Sequence, residues 1–331
     1  MTQNTTIPKA KIIGHGYYVP DTKLTNEDLE KTVDTSDEWI VRRTGIKERR
    51  IGGKDIYTSD LALEAAKRAI ANANIEASDL DLILVATTTP DMYTPNVACM
   101  IQSKLGVTGM AAFDINSACT GFMTALTVAT QFIASGYYKR ILIVGAENLS
   151  RMTDYKDRNT CILFGDGAGA VVLEASTDAG VIETYIGADG EGGKKLTSLA
   201  FKDDPEEVEK RVSGMKNTIW MDGSEVLKFA VRIMAESTKV VLEKAGLTLD
   251  DIKLVIPHQA NIRIVEGAAK RLGIGDDKLF VNLEHYGNMA AASIPIALCE
   301  ALEQGRIVKG DKFVMVGFGG GLTWGAAVVE L

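Results

Sequence analysis

Cysteine and histidine are scarce, four and three in 331 residues. Cys99, Cys119, Cys161 and Cys299 show no Cys-x-x-Cys spacing and are too few for a disulfide scaffold. With His15, His258 and His285 as the remaining soft ligands, neither a zinc site nor any other metal is expected. A basic excess is missing as well: 36 Lys and Arg stand against 44 Asp and Glu, a net charge of −8. The resulting isoelectric point near 5.1 leaves no global field to hold nucleic acid. No run reaches the roughly 18 apolar residues of a membrane helix. Met1 to Lys11 is polar, not a charged start followed by an apolar signal core. These absences together predict a cytoplasmic protein that binds neither membrane nor nucleic acid. What is plentiful is apolar side chain, 46% against 24% charged, enough for a large core. At about 150 residues per domain, the length suits two domains or one large α/β unit.

Strand-like apolar runs alternate with helix-period segments, the pattern of a parallel sheet covered by helices. Thr35-x-x-Glu38 predicts a capping box for a short helix stopping at Gly45. Leu61–Ala73 has helical spacing, and Leu82–Ala86 reads as a buried strand. Pro95 and Gly106 would bracket the next helix as its first residue and its terminator. Strands at Ala111–Ile115 and Ile141–Gly145 flank a helix from Cys119 to Ser135. The order then repeats. Ile75–Leu84 (IEASDLDLIL) matches Leu247–Ile256 (LTLDDIKLVI) at an offset of 172. Leu-Gly106 answers Leu-Gly273, the helix ending at Gly136 answers one ending at Gly305, and Ile141–Gly145 answers Phe313–Gly317. Four elements in register argue for two copies of one βαβαβ-type unit packed face to face, an N-terminal half over 1–178 and a C-terminal half over 179–331. Residues 199–222 break the pattern and read either as a solvated excursion or as a flap over a site.

This register sets Cys119 opposite Asn288, each after a short strand and small-residue turn at the start of a helix. A thiol at a helix N-terminus meets free N–H groups and the positive end of the dipole, which predicts a lowered pKa and a nucleophile. Cys99, Cys161 and Cys299, each within an apolar helix or strand, read as structural. His258 follows the strand Leu254–Pro257, at the sheet edge where α/β proteins bind ligands. His15 and His285 read as packed or solvated. Phe318-Gly-Gly-Gly-Leu-Thr-Trp-Gly325 could bring backbone N–H groups to an oxyanion. Gly165-Asp-Gly-Ala-Gly169 lies between strands without a following helix, so it fits neither a P-loop nor a dinucleotide fingerprint and reads as structural.

Through Asp34–Ile40, Arg43-Thr-Gly-Ile46, Ala118-Cys-Thr-Gly-Phe122, Phe164–Gly169, Pro257–Arg263, Tyr286-Gly-Asn288 and Gly317–Gly325, the sequence resembles the β-ketoacyl-acyl-carrier-protein synthase III family over nearly its whole length. The resemblance implies a thiolase-like five-layered αβαβα fold of two similar halves and a homodimer. It also implies decarboxylative condensation of an acyl-coenzyme A with malonyl-acyl-carrier protein at the start of fatty acid synthesis, with no cofactor. Cys119 would be acylated, N–H groups of Cys119 and Gly320 would hold the oxyanion, and His258 with Asn288 would stabilise the enolate. Carried over likewise are Thr35, Trp39, Arg43, Arg158 and Asn261 for coenzyme A, and Thr94 and Phe318 for the acyl pocket. Lys228, Arg263, Lys270 and Arg271 would meet the carrier protein. Thr94 stands where many members have a bulky aromatic closing the tunnel across the dimer, which implies room for branched or longer primers. Met289 stands where a small Thr is common.

Other chemistries use the same residues. Cys, His and Asn in this order also make a papain-like hydrolase, but its Cys-Gly-x-Cys signature is missing. A degradative thiolase would need a second catalytic Cys where Phe318 stands. An acyltransferase or a starter synthase of secondary metabolism shares every residue named.

Overall fold

The computed structural model describes residues 7–331, so most of the Met1–Lys11 segment read for a signal core lies outside the described residues. The chain first forms β1 (Lys9–Tyr18), α1 (Asp37–Thr44), α2 (Thr58–Asn72), β2 (Leu82–Ala86), α3 (Val97–Lys104), β3 (Ala111–Ile115), α4 (Gly121–Ala134), β4 (Arg140–Asn148) and β5 (Asp166–Ser176). It then repeats the theme with β6 (Gly180–Ala188), α5 (Gly223–Ala245), β7 (Leu254–Pro257), α6 (Ile262–Leu272), α7 (Ser293–Glu303), β8 (Lys312–Gly319) and β9 (Thr323–Glu330). The two sheets run β1-β5-β4-β2-β3 and β7-β8-β9-β6. They are mixed and not parallel throughout: β2 is parallel to β3 and β4, and β7 to β8, but β5 and β9 run antiparallel to their neighbours. The tight turn between Gly319 and Thr323 returns β9 antiparallel to β8, whereas β5 comes back beside β4 only after the long excursion from Leu149 to Gly165. Beside β7, Leu279 makes a lone parallel bridge to Val255, at the place β3 occupies beside β2.

Alternation along the strands builds the layers. Leu82, Leu84, Ile141 and Ile143 join Phe313, Met315, Ala327 and Val329 of the other sheet around α4 and α7. Ile83, Val85, Leu142 and Val144 face α2 and α3 on the outside. Val255, Val314, Val316 and Val328 face α5 and α6. The result is helix, sheet, helix pair, sheet, helix, with α4 and α7 apolar on most sides because both faces are covered. The five-layered expectation therefore holds, with the two copies meeting face to face through α4 and α7.

Several local expectations move. The cap of α1 is Ser36, whose hydroxyl accepts from the Trp39 N–H, not Thr35; Gly45 ends the helix at φ 77° as expected. Asn96 caps α3, which places Pro95 two residues before the first helical position, while Gly106 follows at φ 73°. The Gly165–Gly169 stretch enters β5 directly. There a Cβ on Gly169 would come within 2.7 Å of the Ile296 backbone N, so its glycines serve close contact with α7. Cys161 lies in a turn, buried, not in a helix or strand.

The register of the halves also shifts at the site. Turns of 3₁₀ helix at Ala118–Thr120 and Ala290–Ala292 precede α4 and α7, keeping the offset of 172. Cys119 thus corresponds to Ala291, and Asn288 to Asn116. Both asparagines accept from the N–H two residues on, Asn116 from Ala118 at 3.3 Å and Asn288 from Ala290 at 2.9 Å. The pairing of Cys119 with Asn288 was three residues out, because sequence similarity fades in exactly the turns that diverged for chemistry.

Candidate active site

Cys119 sits half-buried in the 3₁₀ turn between β3 and α4. Its turn is tied to β9 by the Thr120 and Thr323 hydroxyls, 2.8 Å apart. A Cβ on Gly319 would lie 2.8 Å from the Cys119 N, so only glycine lets the loop after β8 come this close. That approach brings the Gly320 backbone to the Cys119 thiol, where its N–H and that of Cys119 favour the thiolate. His258 extends β7, its N–H donating to the Val316 carbonyl at 2.8 Å. Its ring is fully buried, edge-on to Phe318 at 5.4 Å between centroids, and neither ring nitrogen has a hydrogen-bond partner. Buried polar atoms are seldom left so; these two are available to a ligand.

Asn288 is pinned by its backbone. Its N–H donates to the Leu163 carbonyl at 2.8 Å and its carbonyl accepts from the Gly165 N–H at 3.0 Å. With Oδ1 taken by the Ala290 N–H, the amide has its Nδ2 donors to offer. Arg49, fully buried, supports this segment by donating to the Ile162 carbonyl and to Asn26 Oδ1. Cys119, His258, Asn288, Phe318 and Gly320 line one cavity of about 1460 Å³.

Electrostatics correct one expectation. Burial pushes the Cys119 thiol up to about 12, the charge of Glu147 adds to the rise, and the N–H groups of Cys119 and Gly320 pull against it. Desolvation outweighs the helix terminus, so the resting group is a thiol and not a preformed thiolate. Burial takes His258 down to about 3, leaving a neutral imidazole that can accept one proton and donate another. Glu147, at the end of β4, is buried and raised to about 7 by that burial, against hydrogen bonds from Thr88 and Thr89. Sequence reasoning missed Glu147 and Arg49. The signal for Glu147 was a single carboxylate closing the apolar run Ile141–Ala146.

The same cavity reaches α1 and α6, where Trp39, Arg43, Asn261 and Arg263 line it. Arg43 and Arg158 both lie over the Trp39 ring, at 4.5 and 4.7 Å from its centroid, and Arg158 is held by the Asp34 backbone and carboxylate. An adenine between Trp39 and Arg158 would have to part them. Thr35 Oγ1 nearby is buried without a partner. Asn261 caps α6 by accepting from the Arg263 N–H. Lys228, Lys270 and Arg271 are exposed on α5 and α6, outside the cavity. Lys228 pairs with Glu225 at 2.9 Å, and Lys270 and Arg271 occupy the last turn of α6, where cations also suit the helix dipole. Thr94 is exposed and does not line this chain's cavity, although Met92 and Tyr93 do. Met289 turns away from the site, buried with Tyr17, Val19 and Ile296 against Gly167, which removes it from the approach to the oxyanion. The 199–222 segment forms cavity wall through Leu199, Val212 and Ile219, the flap-like alternative of the two. Among the described residues, no group of three or more His, Cys, Asp or Glu could hold a metal, and no helix is long and apolar enough to cross a membrane.

Comparison with known proteins identifies the family. Family models described as 3-oxoacyl-[acyl-carrier-protein] synthase III match residues 113–190, and its C-terminal part matches 242–331. The chain is 57% identical over 322 residues to a β-ketoacyl-[acyl-carrier-protein] synthase III of Geobacillus kaustophilus, covering 97% of this chain and 98% of that relative. The crystal structure of a 3-oxoacyl-[acyl-carrier-protein] synthase III from Aquifex aeolicus superposes with a TM-score of 0.91 at 48% identity, over 97% of this chain and all of that one. A priming β-ketosynthase of the R1128 polyketide pathway also superposes at 0.91, with 32% identity over 100% and 99% of the two chains.

Proposed function

The chain belongs to the 3-oxoacyl-[acyl-carrier-protein] synthase III family and is an acyltransferase of the condensing type, and from that premise we propose roles for its residues. Cys119 Sγ attacks the thioester carbonyl of an acyl-coenzyme A. The new oxyanion lies between the Cys119 and Gly320 N–H groups, coenzyme A leaves with the thiol proton, and the acyl group stays on sulfur. Malonyl-acyl-carrier protein then enters. Its carbon–carboxylate bond breaks, carbon dioxide departs, and the electron pair passes to the thioester oxygen as an enolate. His258, neutral, and Asn288 each donate one hydrogen bond to that oxygen. The enolate carbon attacks acyl-Cys119, the Cys119 sulfur leaves and regains a proton, and the product is a β-ketoacyl thioester on the carrier protein.

The observation that carries this reading is the conjunction in one cavity of Cys119, with the glycine loop after β8 pressed against its backbone, and two unpartnered nitrogens on buried His258. No step in it calls on a cofactor. Thr35, Trp39, Arg43, Arg158 and Asn261 take coenzyme A, supported by the orphan Thr35 hydroxyl and the aromatic-guanidinium stack. Lys228, Arg263, Lys270 and Arg271 offer cations to an acidic carrier, and Phe318 and Thr94 bound the acyl group. A homodimer is supported by β3, an edge strand whose outer side is unpaired and whose five residues are all only half-buried. We take 1–178 and 179–331 as the two halves, since β5 ends at Ser176 and β6 begins at Gly180. Four free cysteines suit a reducing cytoplasm.

The test is to incubate the protein with acetyl-, branched short-chain and long-chain acyl-coenzyme A and locate added acyl mass by peptide mass spectrometry. Acylation confined to Cys119 supports the assignment, and none by any donor overturns it. The likeness to a priming polyketide synthase keeps a starter-synthase role as the second reading; failure to extend acyl-Cys119 with malonyl-acyl-carrier protein of fatty acid synthesis would favour it.

A further inference from the structure

Between residues 199 and 222 no apolar side chain is buried; the buried residues there are Arg211 and Thr218. The segment is closed at its base by the short strands Leu196–Thr197 and Trp220–Met221, which pair antiparallel, and it carries the short helix Pro205–Glu209. What holds these parts together is one guanidinium. Arg211 Nε donates to the Thr218 carbonyl at 3.0 Å, Nη1 donates to the Glu207 carbonyl, and Nη2 donates to the Thr197 carbonyl at 3.3 Å and to its hydroxyl at 3.1 Å. The Thr197 hydroxyl donates in turn to Glu207 Oε2 at 3.1 Å, and that oxygen lies 3.8 Å from Arg211 Nη1. A segment too short to bury apolar side chains is thus organised around a buried, forked cation.

The parts that Arg211 gathers are cavity wall. Leu196, Thr197, Ile219 and Trp220 line the cavity that holds Cys119, whereas Arg211 itself does not. Leu196, next to Thr197, packs on the glycine loop: a Cβ on Gly320 would lie 3.5 Å from Leu196 Cδ2. On the other limb, the Ser213 N–H donates to Asp154 Oδ2 at 2.7 Å and the Ile219 N–H donates to the Met152 carbonyl at 2.8 Å, so the wall also leans on the N-terminal half. We propose that Arg211 is a positioning residue for acyl selection, the polar core that keeps this wall in one shape and so limits which acyl groups reach Cys119. The inference rests on the acylation of Cys119 proposed above.

Loss of the guanidinium falls on the wall and not on the nucleophile. The carbonyls of Thr197, Glu207 and Thr218 lose its donors and turn to water for others, so the two limbs part where Arg211 joined them. The turn of Cys119 is fixed separately, by the hydroxyls of Thr120 and Thr323 and by the close approach of Gly319. Thiol reactivity is therefore retained while discrimination among acyl groups fades. A fitted pocket tells one methylene apart by about tenfold or more, and a loosened wall forfeits that.

Arg211→Met, which keeps an unbranched side chain without donors, and Arg211→Lys are compared with the parent as full chains. Acylation rates of Cys119 are followed by mass with acetyl-, branched short-chain and long-chain acyl-coenzyme A, and alkylation of Cys119 by iodoacetamide reads thiol reactivity apart from acyl fit. Arg211→Met is expected to lower the ratio of rates between the best and the poorest acyl donor by about tenfold, with Cys119 alkylation close to the parent's. Arg211→Lys keeps the charge but not the fork, and it recovers little of the ratio. Should Arg211→Met not fold, Glu207→Ala, which removes the carboxylate between Arg211 and Thr197 and lies outside the cavity lining, carries the same direction of change. An unchanged ratio in folded variants, or a slowing shared equally by every donor and by iodoacetamide, overturns the role of Arg211. A parent that no acyl-coenzyme A acylates overturns the assignment of Cys119, and the proposal with it.

Discussion

Ala118 and Ala290 hold the same left-handed backbone conformation, φ 47° and 40°, each one residue before the helical turn position that carries Cys119 in one half and Ala291 in the other. An L-residue there costs about 1–2 kcal/mol relative to the right-handed region. The strain lets a strand end and a helix start meet in a corner sharp enough to present Cys119 to the cavity. β-branched residues tolerate this region worst. Ala118→Val is therefore expected to slow Cys119 acylation by about tenfold or more, whereas Ala290→Val strikes decarboxylation. Measuring both half-reactions on both variants checks the assignment; equal effects on the two steps would sink it.

His258 sets an acid limit on stability. Its folded pKa is about 3 against 6.5 for an exposed ring, through burial. As pH falls below 6.5, the unfolded chain takes a proton that the folded chain refuses. The contribution is whole above 6.5 and is lost toward pH 3, at a slope approaching about 1.4 kcal/mol per pH unit. The parent is expected to lose melting temperature between pH 7 and 4.5 more steeply than His258→Gln. Parallel losses would show that His258 is solvated and protonates as an exposed ring does.

Much of this was legible beforehand, for reasons that can be named. The repeat at Ile75–Leu84 and Leu247–Ile256 survives because both segments pack the same way under a sheet, and burial constrains residue type. Cys119, His258 and Asn288 were picked out by their places in the sequence pattern, and the structure brings the three to one cavity, His258 directly after β7, Cys119 in the turn after β3 and Asn288 after the short helix Leu283–Tyr286. The thiol's high pKa was not, since it depends on how completely the fold removes water, which spacing does not encode. The mixed sheets were missed because apolar runs carry no direction; a tight turn accounts for the return of β9, but β5 returns only after the long excursion from Leu149 to Gly165. Glu147 stayed hidden in a strand otherwise read as core, its donors on Thr87, Thr88 and Thr89 lying 58 to 60 positions away along the chain.

Glu147 titrates in the opposite sense to His258. Burial lifts its carboxyl to about 7 from 4.5. Between those values the folded protein keeps a proton the unfolded chain has released, so its contribution is whole below pH 4.5 and is lost as pH rises through 7. Removing the charge in Glu147→Gln is expected to help most in alkaline solution. The melting temperature of that variant minus the parent's should grow from pH 5 to pH 8, and a pH-independent difference would contradict the buried, proton-holding carboxyl.

Trp39 presents its ring to two guanidinium groups, Arg43 and Arg158. A purine that stacks there replaces one cation contact with its own. Trp39→Ala removes the platform without touching Cys119, and it is expected to raise KM for acyl-coenzyme A by about tenfold at nearly constant kcat, a loss of about 1–2 kcal/mol in stacking. Thr35→Val, which deletes the unpartnered hydroxyl, should raise KM less. Steady-state kinetics separates these outcomes from a fall in kcat, which would move both residues out of the coenzyme A path.

Thr94 is exposed on the loop before α3. Its neighbours Met92 and Tyr93 line the cavity of this chain, but Thr94 itself points outward, on the loop that leads through Asn96 and α3 to the unpaired edge strand β3. If two copies join along β3, each Thr94 comes to the other copy's site, and a side chain there closes the acyl tunnel from across the interface. Thr94→Phe is then expected to narrow preference toward acetyl-coenzyme A, lowering kcat/KM for branched primers by about tenfold through steric exclusion, since each misfit methylene costs about 1–3 kcal/mol. Phe113→Lys on β3 would abolish pairing in sedimentation analysis by setting like charges face to face across the edge. The preference should then no longer respond to Thr94→Phe. A narrowing that persists in monomeric protein would place Thr94 in its own chain's pocket; no narrowing in the dimer would remove it from the acyl site.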